Sequence, residues 1–184
     1  MSILKLENGQ TLDNLSDIQS ELGSLNIQIE HKNLGKSLHL SDLLAQDILS
    51  QLDKQQILLS YQTEFELLKQ QAGYFCYDLL ALHPGSPNLY TLTAAYSRYH
   101  THQDAEALYI LAGEAIFGIV RPEGNRVQLL VQAHDYIHVP GRVEHWFAPT
   151  ASLHIKALRY FTSADGWIPQ YTGTKLQDSL RNER

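Results

Sequence analysis

The sequence predicts a mainly β fold, a barrel or sandwich, preceded by a helical N-terminal part. Three observations predict it. From residue 74 to 161, short strand-like runs alternate with turn signals, as in many-stranded antiparallel folds. Before residue 73 the apolar residues recur at helical spacing instead, as in Ile57, Leu58, Tyr61, Phe65 and Leu68. At 184 residues the chain suits one domain. We read it as 1–73 mostly helical, 74–161 a β-barrel and 162–184 a closing tail.

In order, Ile3–Leu6 reads as a short strand. Leu12, Leu15, Ile18 and Leu22 follow at helical spacing, with Gly23 at the place of a left-handed C-terminal cap. Leu25–Glu30 alternates apolar and polar residues, a half-buried strand. Ser41-Asp42 is a helix start, with Leu43, Leu44, Ile48 and Leu52 on one face. The next helical pattern runs from Ile57 to Leu68 and stops at Gly73; core packing explains its aromatic and leucine stripe. Tyr74–Leu82 is apolar, and His83–Asn88 is a turn rich in Pro and Gly. Seven strand-like runs follow: Leu89–His102, Glu106–Leu111, Ala115–Arg121, Arg126–Gln132, Tyr136–Val139, His145–Ala148 and Leu153–Phe161. In the tail, Trp167, Ile168 and Tyr171 are expected to pack back on the barrel.

Composition excludes several classes. The net charge of −6, with no Lys/Arg run, argues against a nucleic-acid surface. Cys76 is the only cysteine, so no internal disulfide forms, which fits a reducing compartment. The first residues carry no apolar signal core, and no apolar run approaches the ~20 residues a membrane helix needs. The expectation is a cytoplasmic protein that meets no nucleic acid or membrane. Nothing in the pattern sets its oligomeric state.

Chemistry concentrates in Tyr96–Glu106, where His100 and His102 stand one residue apart and Glu106 follows. On a strand, Tyr96, Arg98, His100 and His102 share a face. Glu106 would reach the same point from the next strand, where Leu108 and Ile110 share its side. His145 opens another strand behind Pro140-Gly141. Three imidazoles and a carboxylate suit a first-row ion such as Fe(II), Ni(II), Mn(II) or Zn(II). Without cysteine nearby, a structural zinc cage does not fit. The remaining histidines, His31, His39, His83, His134, His138 and His154, read as surface or hydrogen-bonded residues. On the last barrel run Ile155, Ala157, Arg159 and Phe161 share a face. An inward Arg159 among apolar residues calls for an anion or an internal salt bridge.

These motifs carry a resemblance. His100-x-His102-x3-Glu106-x6-Gly113 resembles the first cupin motif. His134–His145 resembles the second, with His134 at the family's leading Gly and Gly141 one place early. Within the cupins the chain resembles the acireductone dioxygenases of methionine salvage, through the segment 73–78, His145-Trp146-Phe147, Lys156–Phe161 and the specific run Gly166–Gly173. The resemblance implies a cupin-type double-stranded β-helix, a jelly-roll barrel with the N-terminal helices packed outside. It implies one Fe(II) or Ni(II) per chain, held by His100, His102, Glu106 and His145. The substrate would be a small enediol-ketone with a methylthio tail, 1,2-dihydroxy-3-keto-5-methylthiopentene, cleaved with O2. With iron, the family's products are formate and the α-keto acid precursor of methionine; with nickel they are carbon monoxide, formate and a shorter acid. Tyr96, Phe147 and Trp167 would line the substrate pocket, and Arg159 would face the anionic substrate.

The chain departs from the family further around the first motif, where Tyr99 precedes His100 in place of the family's usual Glu. Where the family typically has Glu-Val-Arg or Glu-Ile-Arg, this sequence reads Glu106-Ala107-Leu108. Replacing a pocket cation by Leu108 costs about 1.5–3 kcal/mol of anion binding, the worth of a charged hydrogen bond. Either Arg98 supplies the charge from another direction, or the chain is a different metal-dependent cupin enzyme or a non-catalytic ligand-binding cupin.

Overall fold

The computed structural model describes residues 2–34, 38–164 and 167–175. Its elements run β1 (Ile3–Lys5), β2 (Thr11–Leu12), α1 (Leu15–Gly23), β3 (Gln28–His31), α2 (Leu38–Ala45), α3 (Gln51–Ser60), α4 (Gln62–Ala72), β4 (Cys76–Leu82), α5 (Leu89–Tyr96), β5 (His100–Thr101), β6 (Glu106–Val120), β7 (Arg126–Gln132), β8 (Asp135–Val139), β9 (His145–Pro149), β10 (Ile155–Phe161) and β11 (Gln170–Tyr171).

β6 belongs to two antiparallel sheets. Its first half pairs with β8 and β10, its second half with β7 and β9. One sheet runs β3-β8-β6-β10-β4 and the other β11-β5-β9-β6-β7-β1-β2. Two sheets sharing one long strand form the expected cupin-type barrel. The strand bends where the sequence suggested a turn. Gly113 has φ +76, and a Cβ there would lie 2.1 Å from the His154 carbonyl oxygen. The β10 ladder slips register beside it, between Lys156 and Ala157. The Ala112-Gly113-Glu114 separator is therefore a bulge inside one 15-residue strand.

Alternation along β6 and β10 builds two cores. Leu108 and Ile110 of β6, with Ile155, Ala157 and Phe161 of β10, face the barrel interior beside Phe117, Leu129, Ile137 and Phe147. Ala107, Tyr109 and Leu111, with Leu158 and Tyr160, face outward and are covered by α2, α3 and α4 through Leu43, Ile57, Tyr61 and Phe65. Each fully buried large apolar side chain contributes about 1.5–3 kcal/mol.

Several local expectations change. Leu89–Tyr96 is helix α5, not strand: Leu89, Leu92, Thr93 and Tyr96 follow the i, i+3, i+4, i+7 spacing of a helical face. Threonine and tyrosine there masked that period. Gly23 is the last residue of α1; the left-handed residue is Asn26, φ 55, which tolerates that region. Ser41-Asp42 lies inside α2, which begins at Leu38. The true start nearby is Ser50, whose hydroxyl accepts from the Asp53 N–H while Asp53 accepts from the Ser50 N–H. That break leaves Ile48 and Leu52 exposed, 71% and 62%. A second break at Tyr61 divides the long helical pattern into α3 and α4, and Gly73 ends α4 in the left-handed region as expected. Trp167 is buried, but Ile168 is 64% exposed and Tyr171 45%. Gly166 lies outside the described residues. Among the described residues no helix is long and apolar enough to cross a membrane.

Candidate metal centre and its cavity

His100 lies on β5, directly opposite His145 at the start of β9. Glu106 opens β6, and His102 sits on the short loop between β5 and β6. That loop is held by the Pro140-Gly141 turn: the Arg142 N–H donates to the His102 carbonyl at 2.8 Å. Gly141 is packed so closely that a Cβ would lie 2.3 Å from the Gln103 carbonyl oxygen. The Pro-Gly pair therefore both reverses the chain and lets the His145 strand approach the histidine loop.

All four side chains are buried, and one ligand atom from each lies within 4.8 Å of the others. Two imidazoles are aimed from behind. His100 Nδ1 donates to the Arg98 carbonyl at 2.6 Å and His145 Nδ1 to the Val143 carbonyl at 2.8 Å. Each bond places the proton on Nδ1 and presents the Nε2 lone pair to the centre. Nε2 of His102 and of His145 both lie 3.1 Å from the same Glu106 carboxylate oxygen. Nε2 of His100 and Nδ1 of His102 are buried without a hydrogen-bond partner among the described residues. Burial holds His100 down at about 4, so it stays a neutral ligand. Burial would push the Glu106 carboxyl up, but His102 and His145 outweigh it and hold it at about 2. For His145, burial lowers and the Glu106 contact raises, and the contact wins. Convergent, orphaned imidazole nitrogens around a buried carboxylate fit a divalent ion, and an N3O set without sulfur suits the first-row metals.

Glu106 also lines a cavity of about 430 Å3 of empty space, open mouth included. Its wall contains Tyr96, Leu108, Phe147, Arg159 and Trp167, every pocket residue expected from the sequence apart from Arg98. Leu108 points inward, as alternation requires, and is paired across the ladder with Arg159. Arg159 combines the two readings of its sequence position. It lines the cavity, and it makes a two-pronged salt bridge to Asp78 on β4, Nε to Oδ1 at 2.7 Å and Nη2 to Oδ2 at 2.5 Å. Burial opposes its charge, but Asp78 outweighs burial and keeps the guanidinium ionised. Its guanidinium carbon lies 5.7 Å from the Trp167 ring centroid.

Arg98 is placed elsewhere. It is exposed, with its guanidinium 4.1 Å over the Tyr171 ring, and it does not line the cavity. The expected shared face fails because Tyr96 ends a helix and the strand is only His100–Thr101. Only the Arg98 carbonyl serves the centre, by holding His100. The other six histidines stay outside it. His31 pairs with Asp135, His39 with Gln56 and His154 with Asp47, and His83 accepts the Gly85 N–H.

Sequence reasoning missed Leu80, Leu82, Leu92, Thr93 and Pro149, which also line the cavity. The helical period of α5 was the available signal for Leu92 and Thr93. It also missed Asp78, because the pairing of β4 with β10 has no local signature. Two polar groups of the wall, Thr93 Oγ1 and Trp167 Nε1, are buried without a partner among the described residues. Such an orphan costs about 1–3 kcal/mol. The Tyr96 hydroxyl, by contrast, donates to the Trp167 carbonyl at 3.4 Å.

Residues 12–169 match the model of the ARD/ARD' family. The chain belongs to this family. It is similar to the acireductone dioxygenase of Nostoc sp. (strain PCC 7120 / SAG 25.82 / UTEX 2576), 53% identical over 98% of this chain and 99% of that one. The acireductone dioxygenase of Trichodesmium erythraeum (strain IMS101) is 47% identical over 96% of this chain and 97% of that one. Among solved structures, an acireductone dioxygenase from Bacillus anthracis with a cadmium ion in its active centre superposes with a TM-score of 0.83, at 25% identity, covering 93% of this chain and 98% of that one. The family membership accords with the His100, His102, Glu106 and His145 centre.

Proposed function

We propose that this protein is a metal-dependent acireductone dioxygenase of methionine salvage, working in the cytoplasm with one Fe(II) or Ni(II) per chain. The observation that carries the reading is the buried N3O centre whose carboxylate lines an apolar cavity containing one cation. Full-length likeness to acireductone dioxygenases supports it. The metal supplies Lewis-acid polarisation and a template for the enediol and O2.

The chain's own residues do the rest. His100, His102, Glu106 and His145 hold the ion, the first and last in tautomers locked by backbone carbonyls. Arg159 faces the substrate's negative oxygens, and Asp78 holds its guanidinium in one orientation. Tyr96 stays a neutral O–H, since burial pushes its phenol up. Leu80, Leu92, Leu108, Phe147 and Trp167 enclose an apolar tail and exclude water, which strengthens each polar contact inside. With Leu108 at the family's arginine position, Arg159 is the only cation of the cavity wall among the described residues.

Metal analysis of the isolated protein, followed by anaerobic addition of acireductone and then O2, tests the reading. The ultraviolet absorbance of the enediol should vanish on aeration of the Fe- or Ni-loaded protein. Absorbance that persists with both metals rejects the proposal.

A further inference from the structure

We propose that Thr93 Oγ1 and Trp167 Nε1 are substrate-binding donors that receive the acireductone oxygen not taken by the metal centre. The proposal rests on the acireductone reading above and deepens it. An acireductone carries three adjacent oxygens. Whichever two the centre takes, at least one is left against the cavity wall, in apolar surroundings where it needs a donor.

The polar groups of that wall differ in what they are free to do. Glu106 faces His102 and His145. Arg159 spends Nε and Nη2 on Asp78, and the Tyr96 hydroxyl is turned to the Trp167 carbonyl. Thr93 Oγ1 and Trp167 Nε1 remain buried and without a partner among the described residues. They belong to one region of the wall. Tyr96, one turn beyond Thr93 on α5, reaches the Trp167 backbone, and the Trp167 ring lies 6.3 Å from His102 and 5.7 Å from the Arg159 guanidinium carbon. The indole thus lies near both the metal centre and the Arg159 guanidinium.

Two orphans in one small cavity are costly unless a ligand meets them. Neutral donors also suit this particular chain. With Leu108 beside Arg159 the wall has no second cation among the described residues, so an oxygen beyond the reach of Arg159 is met by dipoles. A site built around hydroxyl and N–H donors discriminates through them, because any ligand lacking the matching oxygen leaves them unpaired.

The test measures anaerobic binding of acireductone to the metal-loaded protein by ultrafiltration, alongside metal content and thermal unfolding. Thr93→Val keeps the shape and removes only the hydroxyl. It should retain full metal and melt no lower than wild type, yet bind acireductone about tenfold more weakly. Thr93→Ser should bind like wild type, and Trp167→Phe should weaken binding by a similar factor with the metal retained. If Thr93→Val binds as tightly as wild type while acireductone turnover is intact, the assignment falls and the function stands. Wild-type protein that binds no acireductone rejects the functional reading, and the assignment with it.

Discussion

The two faces of β6 and β10 are built from the same ladder and solve opposite problems. The outward face carries Tyr109 and Tyr160 against a layer of tyrosines from the helices and neighbouring strands. Its rings pack closely, Phe65 stacked on Tyr77 at 4.3 Å and Tyr74 tilted against Tyr160 at 5.5 Å. Its hydroxyls are mostly committed: Tyr74 to Tyr136 at 2.7 Å, Tyr77 to the Leu58 carbonyl at 2.9 Å and Tyr109 to the Lys32 carbonyl at 2.8 Å. Tyr61 is the exception, with a buried hydroxyl that has no partner among the described residues. The inward face borders the functional site. It carries the buried Glu106 carboxylate and Arg159. The imidazoles, the Trp167 indole N–H and the Thr93 hydroxyl that neighbouring segments bring to the site include buried atoms without a partner among the described residues. Both faces gain stability from apolar burial, but only the inner one also carries buried polar groups whose cost a metal and a substrate would offset.

Variants on each face test that division. The largest effect is expected for His145→Ala or His100→Ala, which should abolish stoichiometric metal and turnover while urea unfolding stays cooperative. A non-cooperative transition would make the centre structural and dissolve the contrast. Next, Tyr160→Ala on the outer face should destabilise by about 3–5 kcal/mol, the range for large aromatic truncations, while the folded protein still carries its metal. Simultaneous loss of metal would tie the two faces together.

Acid comes third. In metal-free protein His100 is held at about 4 by burial, against 6.5 unfolded. The unfolded chain therefore binds more protons across that window, and stability falls as pH drops from 6.5 to 4, by up to about 3 kcal/mol. His145, raised by Glu106, works in the opposite direction. The His100 contribution is therefore read as a difference: the slope of unfolding free energy over this window should be shallower in His100→Gln than in wild type. The smallest effect belongs to Tyr74→Phe, which removes one committed hydroxyl and leaves that of Tyr136 without its partner. About 1 kcal/mol should be lost with no change in metal affinity.

The metal centre was legible because its signals are short. His100-x-His102 and Glu106 lie within a few residues, and Pro140-Gly141 marks the reversal that leads into His145. Arg126–Gln132 was read with its observed bounds because alternation there is clean, buried at Val127, Leu129 and Val131. Reading failed where a local preference lost to the tertiary surroundings. The threonines and tyrosines of Leu89–Tyr96 favour strand, yet packing on the cavity makes the segment a helix. Ala112-Gly113-Glu114 looks like a turn, yet partners on both sides carry the strand through it.

By itself, the sequence determined the ligand set and the inward aim of Leu108 and Arg159, because spacing and alternation are local properties of the backbone. Only the tertiary structure decided that Arg98 stands outside over Tyr171, that Asp78 clamps Arg159 and that Thr93 and Trp167 share a wall. Those relations join residues far apart in the chain, and they arise only when the sheets close on each other and bury what they hold.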